Sequence, residues 1–228
     1  MDTNEGTIYL SGGGDADKTT IIDTHFIKSL PKKDILYIPV AMERDLIGYE
    51  ACYDWFTNTI SKISEEFVDI SMILNLKEIK DLKQFSAIYI GGGNTYKLLK
   101  EINQSGFGIQ LKEYIKAGGI VYGGSAGAII LGKDISTVID ENKKYNYNFS
   151  SGLSLIGNYS VVCHYKEGED EKIREYLKNN NNPIIAIPEG AGLMVKMNSM
   201  LAIGSYPVIV YENDGSVRKI LPGDILEI

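Results

Sequence analysis

Residues Gly123-Gly124-Ser125-Ala126-Gly127 set one hydroxyl in a run of glycine and alanine, in the order G-x-S-x-G, between the apolar stretches Ile120-Val121-Tyr122 and Ile129-Ile130-Leu131. The chemistry open to that arrangement is nucleophilic attack. A sharp strand-to-helix turn lifts the serine above a sheet, and glycines on either side keep the turn free of collisions. The N–H of the next residue, Ala126, then faces the charge that develops on an attacked carbonyl. The competing expectation is that Ser125 merely caps a helix.

A serine hydroxyl is a weak nucleophile at neutral pH and needs a base, most often histidine. The chain has 2 histidines. His25 lies in "TTIIDTHFIKSL", a helical pattern packed near the first strand, where a structural role is expected. His164 follows the strand-like "SVVC" and opens a polar loop, so it can project from a strand end beside Ser125 and is the expected base. The histidine needs an acceptor to orient it. Glu189, directly after an apolar run in "IIAIPEGAGL", suits a buried, oriented carboxylate; Asp140, in the loop beyond the elbow, is the alternative acid. Cys163 adjoins His164, but alternate strand residues face opposite ways, which assigns it to the core.

Two further glycine clusters precede the elbow. In "IYIGGGNTYKLL" a strand ends at Ile90 and a helix begins near Thr95, so Gly91, Gly92 and Gly93 leave backbone N–H groups free at a strand end. Gly92 or Gly93 is the expected second oxyanion donor beside Ala126. Asn94 or Thr95 would cap the helix, and the same pair is the expected substrate contact. "SGGGDADKTT" comes close to a phosphate-binding loop, but Asp17 stands where glycine must precede the lysine, which leaves a plain strand-to-helix turn.

The elements that must position these residues alternate. Short β-rich runs ("TIYLSGGG", "DILYIPVA", "FVDISMI", "FSAIYI", "GIVYGG") are interleaved with helical spacing, notably from Tyr49 to Ser64 and from Tyr96 to Glu101, in five βα-like units. That pattern predicts an α/β fold of three layers, a mostly parallel sheet with helices on both faces. After Gly132 the polar "DISTVIDENKKYNYNFSSGLSLIGNYS" reads as a long connection near the site. A strand at "YSVVCHY", a helix at "EDEKIREYLKNN" and short strands broken by turns follow, the last ones antiparallel, with a hairpin at Asn213-Asp214-Gly215. No linker divides residues 1–228, so one domain is expected.

Composition narrows the partners. Hydrophobic residues make up 44% and charged residues 23%, ordinary for a folded protein, and the formal charge of −7 offers no footprint for nucleic acid. The polar start Met1-Asp2-Thr3-Asn4-Glu5 lacks the features of a secretory signal, and no apolar run approaches a membrane span, so a cytoplasmic location without membrane contact is expected. The 2 cysteines, Cys52 and Cys163, form no metal pattern, and the histidines lack zinc-ligand spacing. Neither a metal nor a cofactor is expected. The expected partner is a short peptide, acted on by a monomer or homodimer.

Together, "YIGGGNT", "GGSAGA", the later His164 and "IPEGAGL" resemble the serine peptidase family of the aspartyl dipeptidases (peptidase E) and the cyanophycinases, over nearly the whole chain. The resemblance implies a fold related to class I glutamine amidotransferases, with serine in place of their cysteine, a Ser-His-acid triad and no cofactor. Ser125 would be the nucleophile and His164 the base, with the acid at either Asp140 or Glu189. It implies hydrolysis of short peptides at the N-terminal residue; an amidase or esterase on the same triad, or a non-catalytic binder, are the alternatives. The aspartyl dipeptidases carry arginines soon after the histidine that can pair with an acidic side chain. Here that stretch is dominated by Glu167, Glu169, Asp170 and Glu171, although Lys166, Lys172 and Arg174 remain. Its acids suit a peptide's free amine, or simply a solvated helix start.

Overall fold

The computed structural model describes residues 6–43, 47–138 and 149–227; Met1–Glu5 and Asp140 lie outside them. Alternation of buried side chains builds the first strands: β1 (Thr7–Ser11), β2 (Asp34–Ile38), β3 (Asp69–Met72), β4 (Ala87–Ile90) and β5 (Ile120–Gly124) run parallel in the order β1-β5-β4-β2-β3. Along β1, Ile8 and Leu10 face one core, shared with the helices α3 (Thr95–Ser105), α4 (Phe107–Lys116) and α5 (Ala126–Leu131). Tyr9 faces the other core, beneath α1 (Ala16–Ser29) and α2 (Tyr49–Ile63). Helices therefore cover both faces, as the alternating pattern predicts.

In register on the second face stand Tyr9, Tyr122, Tyr89 and Tyr37, one from each of β1, β5, β4 and β2. The Tyr89 and Tyr122 rings stack at 4.4 Å. Asp23 of α1 is 2% exposed and accepts a 2.6 Å hydrogen bond from the Tyr122 hydroxyl. Burial raises its carboxyl pKa to about 6.

The later chain completes this sheet and adds another. Strands β8 (Ala191–Lys196), β9 (Ser199–Gly204) and β12 (Ile225–Glu227) extend it antiparallel from β1 to make 8 strands. A separate 4-stranded sheet holds β6 (Ser160–Cys163), β7 (Ile184–Ile187), β10 (Val208–Tyr211) and β11 (Val217–Ile220), flanked by α6 (Asp170–Asn180). β6 and β7 are parallel, and β10 and β11 form the hairpin expected at Asn213-Asp214-Gly215.

The fold departs from the sequence pattern at a few places. The expected five βα-like units are not all present, because two 3₁₀ turns follow β3 in place of a helix. Leu76 and Leu82, each opening one of these turns, are buried there, as is Ile79 between the turns. After β4 the helix does not stop at Glu101. It continues to Ser105, where Gly106 (φ +75) ends α3 and lets α4 start. The second sheet and β12 were not expected from the sequence.

Candidate active site

The ends of β4, β5, β6 and β7 meet around Ser125. Its backbone is strained (φ 51, ψ −111) between β5 and α5, and three backbone–backbone hydrogen bonds hold it: its N–H donates to Ser11 O at 3.0 Å, and its carbonyl accepts from the N–H of Ala128 and Ile129 at 2.9 and 3.0 Å. The flanking glycines are sterically required. A Cβ at Gly127 would stand 2.2 Å from Ile90 O, and one at Gly123 2.6 Å from Gly127 O.

His164 leaves β6 with a positive φ (55°), its N–H donating to Gly12 O at 3.0 Å. Its ring stands against Gly13, where a Cβ would be 2.6 Å from Cε1. Ser125 Oγ lies 2.8 Å from Nε2, and Glu189 Oε1 lies 2.9 Å from Nδ1. A carboxylate only accepts, so Nδ1 carries the proton and Nε2 is left to accept from the serine hydroxyl. Glu189 reaches this place because Cys163 and Ile187 are register partners on β6 and β7, which sets His164 and the Pro188-Glu189 turn side by side.

The structure thus brings together Ser125, His164 and Glu189 as the sequence suggests, while Asp140 lies outside the described residues. It corrects the surroundings of the acid: the Glu189 side chain is not buried but 37% exposed. Its other oxygen, Oε2, accepts from Lys18 Nζ at 2.8 Å. That bond first, and His164 second, hold the Glu189 carboxyl below its ordinary pKa, and Glu189 in turn raises Lys18.

Gly92 lies beside the serine, where a Cβ would be 3.3 Å from Ser125 Cβ and 3.8 Å from Oγ. Among the described residues no acceptor takes the N–H of Gly92, Gly93 or Ala126. Gly93 (φ +134) instead packs its Cα on the Ala41–Met42 backbone. Asn94 and Thr95 are not brought to the cleft as substrate contacts. Asn94 caps α3, accepting from Lys97 N at 2.8 Å, and Thr95 is fully buried. His25 takes the structural place expected of it, 3.0 Å from the Tyr9 hydroxyl.

Two cavities meet at His164. One, of about 440 Å³, opens over Ser125, Gly92 and Gly124. The other lies beyond the imidazole against Thr137, Cys163, Glu169 and Lys172, so the connection after the elbow does reach the site. The Cys163 thiol faces inward, 3.5 Å from Ser125 O, and burial pushes its pKa up. Of the acidic run, Asp170 is bound by the Tyr165 and Tyr211 hydroxyls, while Glu169 pairs with Lys172 at 3.5 Å on the rim. Sequence reasoning missed Gly12, Gly13 and Lys18. The signal was there, since the first glycine cluster also sits at a strand end, but its partners are far away in the chain.

The model of peptidase family S51 matches residues 7–203. A protein of Drosophila melanogaster named "Probable alpha-aspartyl dipeptidase" is 24% identical over 208 residues, covering 86% of this chain and 82% of that one. Peptidase E of Haemophilus influenzae (strain ATCC 51907 / DSM 11121 / KW20 / Rd) is 27% identical over 198 residues, 81% of this chain and 88% of its own. The crystal structure of a peptidase from an acI-B1 Actinobacterium shares the fold with a TM-score of 0.72 at 18% identity, covering 98% of this chain and 97% of that one.

Proposed function

The chain belongs to peptidase family S51, and from that premise we propose that it is a cytoplasmic serine dipeptidase that removes the N-terminal residue of short peptides with Ser125, His164 and Glu189. The observation that carries this reading is the continuous line of hydrogen bonds, 2.8 Å from Ser125 to His164 and 2.9 Å from His164 to Glu189, at the mouth of a cavity. Ser125 Oγ attacks the scissile carbonyl as its proton passes to His164 Nε2. The C–N bond then breaks, and the same proton goes to the leaving amine. Water, deprotonated by His164, releases the acyl group and restores Ser125. Glu189 holds the imidazole in the required tautomer and steadies its charged form. The N–H groups of Ala126 and Gly92 take the developing oxyanion, where loss of one such donor typically costs about 2.7–4 kcal/mol.

A serine already within hydrogen-bond range of its base gives a non-catalytic reading no support. The test is hydrolysis of a dipeptide panel by the wild type and Ser125→Ala. We expect turnover to vanish in the variant while circular dichroism and melting stay unchanged; undiminished hydrolysis would refute the mechanism. Ester or simple amide cleavage without peptide cleavage would reassign the substrate to an amidase or esterase.

A further inference from the structure

Successive carbonyls at the end of β1 hold the segments that bear Ser125, His164 and Glu189. Ser11 O accepts from the Ser125 N–H at 3.0 Å, Gly12 O from the His164 N–H at 3.0 Å, and Gly13 O from the N–H of Gly190, next to Glu189, at 3.1 Å. Nucleophile, base and acid come from separate parts of the chain, and Ser11-Gly12-Gly13 ties each of them to a common backbone. Gly13 also touches the imidazole itself, since a Cβ there would stand 2.6 Å from His164 Cε1. The relative placement of the reacting groups therefore depends on the shape of this short turn.

Glycine does not fix that shape. Gly12, Gly13 and Gly14 follow one another, Gly13 and Gly14 with φ +86 and +123, and glycine has the widest backbone freedom of any residue. Ser11 supplies the constraint. Its Oγ accepts from the Gly13 N–H at 3.2 Å, and among the described residues no other acceptor takes that N–H.

What fixes Ser11 in turn lies beneath it. Ser11 is 1% exposed and faces the same side of the sheet as Tyr9, two residues earlier, and Tyr122 on the adjoining β5. The Ser11 and Tyr122 hydroxyls are in hydrogen-bond contact. Donor accounting sets the direction of that bond. Tyr122 gives its proton to Asp23 at 2.6 Å, and Asp23, with its carboxyl pKa about 6, is ionised at neutral pH and only accepts. The Tyr122 oxygen is then an acceptor, the Ser11 proton goes to it, and the Ser11 lone pairs are left for the Gly13 N–H. The Tyr89 phenol also contacts that of Tyr122, which has two lone pairs to offer and can accept from both. A continuous chain runs from Gly13 through Ser11 and Tyr122 to a buried charge, and no step of the proposed mechanism uses any of the three side chains in it.

We propose that Ser11 is a positioning residue for the triad: its hydroxyl, held by Tyr122 and Asp23, sets the Ser11–Gly13 turn so that Ser125, His164 and Glu189 align. The assignment rests on the hydrolytic reading above and deepens it. Loss of that hydroxyl loosens the turn without removing a reacting group, so the chemical step slows while the fold and substrate binding persist.

A fluorophosphonate probe tests this without a choice of peptide, because Ser125 Oγ displaces its fluoride while His164 takes the serine proton. Labelling rates are measured for the wild type, Ser125→Ala, Ser11→Ala, Tyr122→Phe, the Ser11→Ala/Tyr122→Phe double variant and Tyr9→Phe, each checked by circular dichroism and melting. Tyr9→Phe is the control, since it removes a hydroxyl from the same aromatic layer, one bonded to His25. We expect labelling that needs Ser125, slowed at least about tenfold by Ser11→Ala and at least about threefold by Tyr122→Phe, and unchanged by Tyr9→Phe. The double variant should be no slower than Ser11→Ala, because both changes break one chain. On the dipeptide that the wild type hydrolyses best, Ser11→Ala should lower kcat by the same factor and leave KM nearly unchanged. Folded Ser11→Ala reacting at the wild-type rate, losses that multiply in the double variant, equal slowing by Tyr9→Phe, or a raised KM with kcat intact overturns the assignment and leaves the hydrolytic reading standing. If Ser11→Ala does not fold, Tyr122→Phe against Tyr9→Phe decides it in the same way. A wild type that neither takes the probe nor cleaves a peptide overturns both.

Discussion

Replacing Gly13 with alanine changes one methyl group and tests the proposed catalytic geometry. The new Cβ would stand 2.6 Å from His164 Cε1 and 3.0 Å from Nε2. Carbon atoms rest about 3.5–4.0 Å apart, so ring or loop must yield by roughly 1 Å. The imidazole is held on both sides, by Ser125 at 2.8 Å and Glu189 at 2.9 Å, and a shift of that size cannot keep both bonds. A misplacement of about 1 Å costs on the order of 100-fold in rate, or about 2.7 kcal/mol of transition-state stabilisation. Gly13 also has φ +86, where an L-residue pays about 1–2 kcal/mol. Gly106→Ala separates the two costs, because Gly106 shares the left-handed conformation (φ +75) but has nothing within 4 Å of a Cβ. Both variants should lose melting temperature, a few degrees per kcal/mol for a chain of this size, with Gly13→Ala losing at least as much as Gly106→Ala because it carries the clash as well. Only Gly13→Ala should lose kcat, by about 100-fold with KM little changed. Folded Gly13→Ala with kcat within about threefold of wild type would show that His164 in this position is not the base.

Lys18→Met removes the largest influence lowering the Glu189 pKa. Because the pair is solvent-exposed, kcat/KM at neutral pH should fall by less than about fivefold. The Glu189 carboxyl, followed by ¹³C NMR, should move up toward the ordinary glutamate range, and an unmoved titration would contradict the contact. Asp23 tests the core: its folded pKa of about 6 lies above the ordinary 3.8, so the folded state holds the proton more tightly. Stability is then lost as pH rises between those values, by on the order of 3 kcal/mol at neutral pH. Asp23→Asn should escape this loss, and its advantage over wild type in urea melts should grow from pH 4 to pH 7. A constant difference would refute the assignment.

The elbow was legible in the sequence because its requirements are local. Gly123 and Gly127 meet neighbours in the same turn or on the adjoining strand, and Ser125 joins a strand and a helix that periodicity already marks. His164 and Glu189 were legible for a related reason, each following an apolar run that ends at the same rim. Sequence marks Gly13 only as part of a turn, since its contact with His164 depends on how β1, β6 and the Glu189 turn assemble across the fold. The exposure of Glu189 was equally hidden: its pairing with Lys18 joins residues 171 positions apart. The helix α4 escaped notice because Gly106 and Gly108 interrupt the helical spacing there, yet a Cβ at Gly106 meets nothing and Gly106 serves both helices as a cap.

The site straddles two sheets, with Ser125 at a strand end of the first and His164 and Glu189 just beyond strand ends of the second. Chain order gives that seam a meaning during synthesis. The strands that carry Ser125 precede residue 132, whereas its base and acid come from segments made later, and β1 acquires β8 later still. A nascent chain emerging N-terminus first can therefore complete the elbow while the hydroxyl still lacks a proton acceptor. Under the proposed mechanism, hydrolytic competence arrives only with docking of the C-terminal sheet. Activity would then be a late signal of assembly, and a ribosome-bound peptidase half-made would be harmless to the peptides around it.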